Sequence, residues 1–184
     1  MKLLDAVNLI LPKLGEHPVT NLDTKHPTLA ILLPIVENEL RTKLLKGWWF
    51  NSYDNTLYPN IEGIIDVGQD TLSFVPHGDV NAAVRGTKLF NTDTASFVWT
   101  TPVTGCIRSY VKFDDLPEVM AQHVFSSALV NAYATDIGLT DVVKLWQATA
   151  NDSYSDLLAE HLRHQKHSTR NSRRWRNLRN AMVK

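Results

Sequence analysis

The chain has 184 residues, 43% of them apolar and 21% charged, with 19 basic side chains balancing 19 acidic ones. That composition suits a folded protein with one good-sized core, or a core plus a small subdomain, and excludes disordered and fibrous classes. The longest apolar run, residues 29–36, is too short to span a membrane. The single cysteine, Cys106, rules out an intramolecular disulfide. Asp5 comes early and no small-residue cleavage pattern follows, so no secretory signal is expected.

The first elements are helical. Leu3, Leu4, Val7, Ile10, Leu11 and Leu14 recur at three- and four-residue spacing, which predicts a helix capped by Gly15. Residues 16–24 read as a loop. A second helix has Pro27 near its first turn and an apolar face of Leu29, Leu32, Leu33, Val36, Leu40 and Leu44. Glu37, Glu39, Arg41 and Lys43 look elsewhere. Pro34 should kink this helix or force a late start, and Gly47 ends it.

From Trp48 to Phe113 the pattern changes to short β-rich runs between turn residues. Strands are predicted at residues 63–67, 71–75, 82–84, 88–90, 97–99 and 106–113. No crossover helix fits between them, so antiparallel hairpins are expected. Asp115, with Glu118 three residues later and Pro117 between, predicts the start of a third helix running to about Asp136 and stopping at Gly138. Its apolar residues cover more than one face, so it should be the most buried. A fourth helix opens at Thr140 or Asp141, with a stripe of Trp146, Ala150, Tyr154, Leu157, Leu158 and Leu162. The expected fold is α+β: a bundle of four main helices (residues 1–46 and 114–164), an inserted antiparallel β subdomain (47–113) and a basic C-terminal tail (165–184).

Charge is distributed unevenly. Residues 161–184 hold eight basic side chains and no carboxylate, which leaves 11 basic against 19 acidic in residues 1–160. A block of like charge cannot bury itself in its own core, so the tail implies a partner: a nucleic acid, an acidic surface or a neighbouring copy. Trp175 and Leu178 stand as apolar anchors among Arg170, Arg173, Arg174, Arg176 and Arg179. Arginine favours bidentate pairing with carboxylates or phosphates. Arg170, Arg173, Arg174, Trp175, Arg176 and Arg179 are therefore the candidate partner-binding residues. A solvated charged end is the bland alternative, and the two apolar residues argue against it. Gly47, Trp48, Trp49 and Phe50 concentrate aromatic area between helix and β region. They read as a structural junction that locks the two parts together, with a partner-facing hot spot as the alternative.

No catalytic, cofactor-binding or metal constellation stands out. Asp114, Asp115 and Glu118 sit where helix caps sit. His161, His164 and His167 recur every three residues, not at the i, i+4 spacing of a helical metal pair, and read as surface histidines near a helix C-terminus. His77-Gly78-Asp79 is a turn, Gly63 and Gly68 are isolated, and Cys106 among β-branched neighbours reads as a buried small hydrophobe.

Several segments resemble, in order, a known family. These are Ala6-Val7-Asn8, Leu14-Gly15-Glu16-His17-Pro18-Val19, Lys46-Gly47-Trp48-Trp49-Phe50-Asn51, Val84-Arg85-Gly86 with Leu89-Phe90-Asn91, and the passage from Val111 to Glu118. Together they are similar to the tail tubular protein A family, the head-to-tail adaptors of short-tailed bacteriophages. The resemblance implies a structural protein of the virion tail, assembled in the host cytoplasm, with no catalysis, cofactor or membrane contact. It implies a dodecameric ring of copies beneath the portal protein. The tail nozzle protein (tail tubular protein B) would sit on the distal side, and the genome would pass through the channel in non-specific contact. The strongly basic ending departs from comparable members, which are more acidic there. Competing readings are a DNA-binding protein acting through the arginine-rich tail, a small hydrolase, and an interaction protein of another assembly.

Overall fold

A computed structural model describes residues 1–165, apart from Thr24, Ile137, Leu139, Thr140 and the side chain of Asp136. Among the described residues the order is helix, helix, β region, helix, helix, the α+β arrangement expected from the sequence. The first helix is shorter than its apolar pattern. α1 spans Leu3–Ile10, and the chain then tightens into a 3-10 turn at Leu11–Leu14 before Gly15 closes it with φ +81°. Pro12 has no N–H to continue the α ladder, which explains the change of pitch.

α2 runs from Pro27 to Leu44 without the late start expected from Pro34, which lies on the exposed side of the helix. Leu29, Leu32, Val36, Leu40 and Leu44 are buried along one face. Glu39, expected on the outside, is buried as well. Its carboxylate accepts a 2.6 Å bond from Asn131 Nδ2 and lies 3.3 Å from Lys43 Nζ, so the charge is paired where α2 meets α3 (Glu118–Asp136).

α3 begins three residues later than predicted. Asp114 and Asp115 fall in a separate 3-10 turn, Phe113–Asp115, and the Pro117 carbonyl accepts the first bonds of the helix, from the N–H groups of Met120 and Ala121. Two of the three carboxylates expected at this cap, Asp114 and Glu118, instead hold the start of the chain. Asp114 Oδ1 accepts the Leu3 N–H of α1 at 2.7 Å, and Glu118 accepts the N-terminal ammonium. Those contacts lower the Glu118 pKa, through the hydrogen bond from the ammonium first and that from Gln122 second. As its apolar pattern predicts, α3 buries residues on more than one face, from Met120 to Ala132. α4 (Asp141–His164) packs on it through Val143, Ala150 and Leu157. Leu158 and Leu162, placed on that stripe by the sequence pattern, are exposed.

The β region departs most from expectation. Its main sheet has three strands in the order β1-β5-β2, all antiparallel: β1 Ser52–Leu57, β2 Thr71–Pro76 and β5 Val103–Ser109. β3 (Ala82–Arg85) and β4 (Lys88–Asn91) form a separate hairpin. β1 was not legible in the sequence. The predicted strands at 63–67 and 97–99 are reduced to isolated bridges such as Ile64 to Val98. β5 starts earlier than predicted and stops at Ser109, where the Tyr110 N–H turns to the Asp70 carbonyl. Cys106, on β5, is half-buried and not fully enclosed.

The sheet and hairpin share a core of their own. Ile65, Val67, Phe74, Leu89, Trp99, Val103 and Ile107 pack together, apart from the helical cluster that holds Leu40, Trp48, Phe113 and Met120. Gly105 marks the tightest approach in this sheet. A Cβ there would meet the Val75 carbonyl oxygen and Phe74 Cζ at 2.5 Å each. Backbone on the facing strand cannot swing away, so Gly105→Ala is expected to cost about 3 kcal/mol. Urea unfolding of the variant beside the parent protein checks this; a loss below about 1 kcal/mol would show that the strands separate easily.

Candidate functional site at the helix–sheet junction

The end of α2, the end of β5 and the end of α4 converge on residues 47–51. α2 finishes with Leu44, and its last carbonyls need partners. Gly47 takes φ +79° to reverse the chain and donates its N–H to the Leu44 carbonyl. Arg108 of β5 lies across this turn and donates from Nη1 to the Leu45 carbonyl at 2.7 Å, placing a cation at the negative end of α2. A Cβ on Gly47 would stand 2.7 Å from Arg108 Nε, so the glycine serves both the turn and the arginine.

Asn51 ties the junction together. It is fully buried. Its Oδ1 accepts the Trp48 N–H at 2.8 Å, and its Nδ2 donates to the carbonyls of Leu44 at 3.0 Å and Ser109 at 2.9 Å. Its own carbonyl accepts the Ser109 N–H at 2.8 Å. One side chain thus joins the end of α2 to the end of β5. The sequence reading placed Asn51 at this junction but weighed only its aromatic neighbours; the signal was a lone amide closing an apolar run after a helix-ending glycine.

Trp48 and Trp49 face α4. Trp48 is buried and donates its indole N–H to the Lys43 carbonyl at 2.8 Å. Its ring meets Tyr154 and His161 edge-on, at 6.4 and 5.2 Å between centroids. Trp49 is half-buried against Phe50 and stacks flat on His164, 4.8 Å away and 5° from parallel. Lys46 Nζ sits 4.9 Å from the Tyr154 ring centre. His161 is therefore half-buried on the tryptophans, whereas His164 stacks on Trp49 and stays exposed, as expected of a surface histidine near a helix end. The reason is periodicity: His161 follows Leu157 by four residues and continues the inward face of α4. His167 lies outside the described residues.

His123, which the sequence reading passed over, is buried on α3 beside the same cluster. Its Nδ1 is 3.2 Å from Ser153 Oγ, and its ring is 5.3 Å from Tyr154. Burial, then the nearby ammonium groups of Lys43 and Lys46, push its pKa down to about 4, against an opposing backbone hydrogen bond at Ala150. The folded protein thus keeps this ring neutral where an unfolded chain, near 6.5, takes a proton. Stability should be unaffected by this group above about pH 6.5 and fall as pH drops towards 4, by at most about 3 kcal/mol. Denaturant unfolding at steps between pH 4 and 7.5 tests the sign. His123→Gln should show a flatter profile than the parent, and parallel profiles would assign the acid loss to carboxylates.

Other sequence candidates are not gathered here. His77 pairs with Asp54 at 3.0 Å on the exposed face of the sheet, across β5, with both side chains more than half exposed. Arg170, Arg173, Arg174, Trp175, Arg176 and Arg179 lie outside the described residues. Geometry therefore offers a rigid aromatic and amide junction at the point where the chain enters its basic tail. Among the described residues no three His, Cys, Asp or Glu side chains gather as a metal set, and no helix is long and apolar enough to cross a membrane.

Comparison with known proteins places these features in context. The profile of the family described as Tail tubular protein matches residues 4–167, a span that includes the junction and stops short of Arg170. Tail tubular protein A of Klebsiella phage KP34 is 31% identical over 182 residues, covering 98% of this chain and 98% of that protein.

Proposed function

We propose a head-to-tail adaptor role for this chain, which belongs to the tail tubular protein family. It is a structural component of a bacteriophage tail, and the role is one of assembly and not of catalysis. Copies of the chain form a ring, a dodecamer in keeping with its family, between the portal protein and the tail nozzle protein. The genome passes through the channel in non-specific contact with the ring. The protein ends in the virion tail after assembly in the host cytoplasm.

The observation that carries this reading is the match to a tail tubular protein along nearly the whole of both chains. Physical features agree with it. A closed ring of identical subunits needs two different patches on each copy, and the acidic residues 1–160 with the basic ending supply opposite charges for them. Separate helical and β cores give each subunit two surfaces that can meet different partners. Arg170, Arg173, Arg174, Trp175, Arg176 and Arg179 are the proposed contacts to the portal or to a neighbouring subunit. Gly47, Trp48, Trp49 and Phe50 hold the root of that tail in place. The proposed parts are residues 1–46 and 114–164 as bundle, 47–113 as β insert and 165–184 as tail.

Electron microscopy of the purified protein, alone and mixed with a portal ring, tests the proposal. The expected result is a ring, or a new layer seated under the portal. A monomer that ignores the portal but binds duplex DNA, with affinity falling steeply as salt rises, would replace the adaptor with a DNA-binding protein.

A further inference from the structure

A groove of about 480 Å³ opens between α1, α2 and the segment that follows β5. Leu22, Leu33, Leu40 and Phe113 make most of its wall apolar, and Glu37, Tyr110, Lys112 and Asp114 stand among them. Tyr110 donates its hydroxyl to Glu37 Oε2 at 2.9 Å, and Arg41 lies over the Tyr110 ring, so this side is held in shape. Exposed Asp23 and Asp115 adjoin lining residues Leu22 and Asp114. Four carboxylates, Glu37, Asp114, Asp23 and Asp115, thus stand in or beside an apolar slot against Lys112, Lys2 and Arg41, and Arg41 is paired with Glu37 at 2.6 Å.

We propose that this groove receives the Trp175–Leu178 segment of a neighbouring copy of this chain. The match is chemical. The slot is apolar and edged by Glu37, Asp114, Asp23 and Asp115; the segment has two apolar side chains among Arg173, Arg174, Arg176 and Arg179. An aromatic anchor in a pocket with arginines meeting carboxylates at the rim is how compact interfaces concentrate their affinity. Ten residues beyond Gln165 span up to about 35 Å when extended, a reach that can carry the segment off its own subunit. The donor is a second copy because no wall of the groove comes from α4, the helix that carries the tail, and because a ring requires a heterologous contact. This docking deepens the adaptor reading and rests on it.

Cysteine cross-linking of full-length protein tests it. In a Cys106→Ser background, one preparation carries Leu22→Cys at the groove and a second carries Asn177→Cys in the tail segment. On mixing under mild oxidation, the expected product is a disulfide-linked pair of chains. It should exceed by about tenfold the yield with Ile61→Cys, a fully exposed control on the β region. Adding Glu37→Lys to the groove preparation should reduce the product. Equal yield at Ile61→Cys would overturn the docking. So would a chain carrying both Leu22→Cys and Asn177→Cys that closes only on itself. The same samples are imaged for rings, alone and with the portal. Rings without the cross-link overturn the docking and leave the adaptor reading standing; the cross-link without rings upholds the docking and removes the adaptor.

Discussion

Asn51→Leu is expected to destabilise the protein by about 3 kcal/mol, although the side chain keeps its size. Three bonds vanish together: the one Asn51 Oδ1 accepts from Trp48 N–H and the two Nδ2 gives to Leu44 and Ser109 carbonyls. The costs differ. The Leu44 carbonyl still accepts from Gly47 N–H, whereas the Trp48 N–H loses its side-chain acceptor inside the core. An unsatisfied buried group costs about 1–3 kcal/mol, so the orphaned Trp48 N–H, with smaller losses at the Ser109 and Leu44 carbonyls, gives the expected total. For a chain of this length that corresponds to a fall in Tm of about 6–12 °C. Asn51→Asp should be as damaging or worse, because it replaces the donor with an oxygen facing two carbonyls. Thermal unfolding followed by circular dichroism decides the matter; an Asn51→Leu variant within about 1 kcal/mol of the parent would show that the amide network is replaceable.

That network also marks the limit of what the sequence revealed. The helices were legible because Leu29, Leu32, Val36, Leu40 and Leu44, or Ala150 and Leu157, repeat at helical spacing and are buried. β1 was not, since Ser52-Tyr53-Asp54-Asn55-Thr56-Leu57 is mostly polar with no fully buried residue, and it is an edge strand that pairs with β5 through backbone and one Thr56–Thr104 hydroxyl contact. The overlong β5 has a different cause. Ile107, Val111 and Phe113 keep a strand-like alternation, but Ile107 is buried in the β core and Phe113 in the helical core. A shared period thus spanned two environments, and only the fold divides them. At the junction the aromatic residues were visible by composition, while the role of Asn51 and the packing of His161 on Trp48 depend on β5 and α4 arriving from far along the chain. Pattern rules read one element at a time and cannot register such meetings.

Exchanging Arg173 and Arg174 for glutamate is expected to abolish assembly while leaving the subunit folded. The double change moves the charge of residues 161–184 from +8 to +4, because each arginine replaced by glutamate subtracts two from the eight basic residues there. It also sets carboxylates against whatever carboxylates the arginines met, so attraction turns to repulsion at the centre of the anchor. Charges at the rim of an interface contribute about 1 kcal/mol each, so two inversions should weaken each docking contact by about 30-fold, and a ring repeats that loss at every contact. Stability of the free subunit should change by less than about 0.5 kcal/mol, since a block of like charge contributes nothing to its own core. Two readouts separate the effects: thermal unfolding of the subunit, and the fraction of filled heads joined to tails when the variant replaces the parent protein. Normal joining by the Arg173→Glu, Arg174→Glu variant would remove the tail from the interface and leave the body of the subunit to carry the ring. Restored joining when Asp23 and Glu37 are changed to lysine in the same chain would place the two charges opposite one another in the assembled tail.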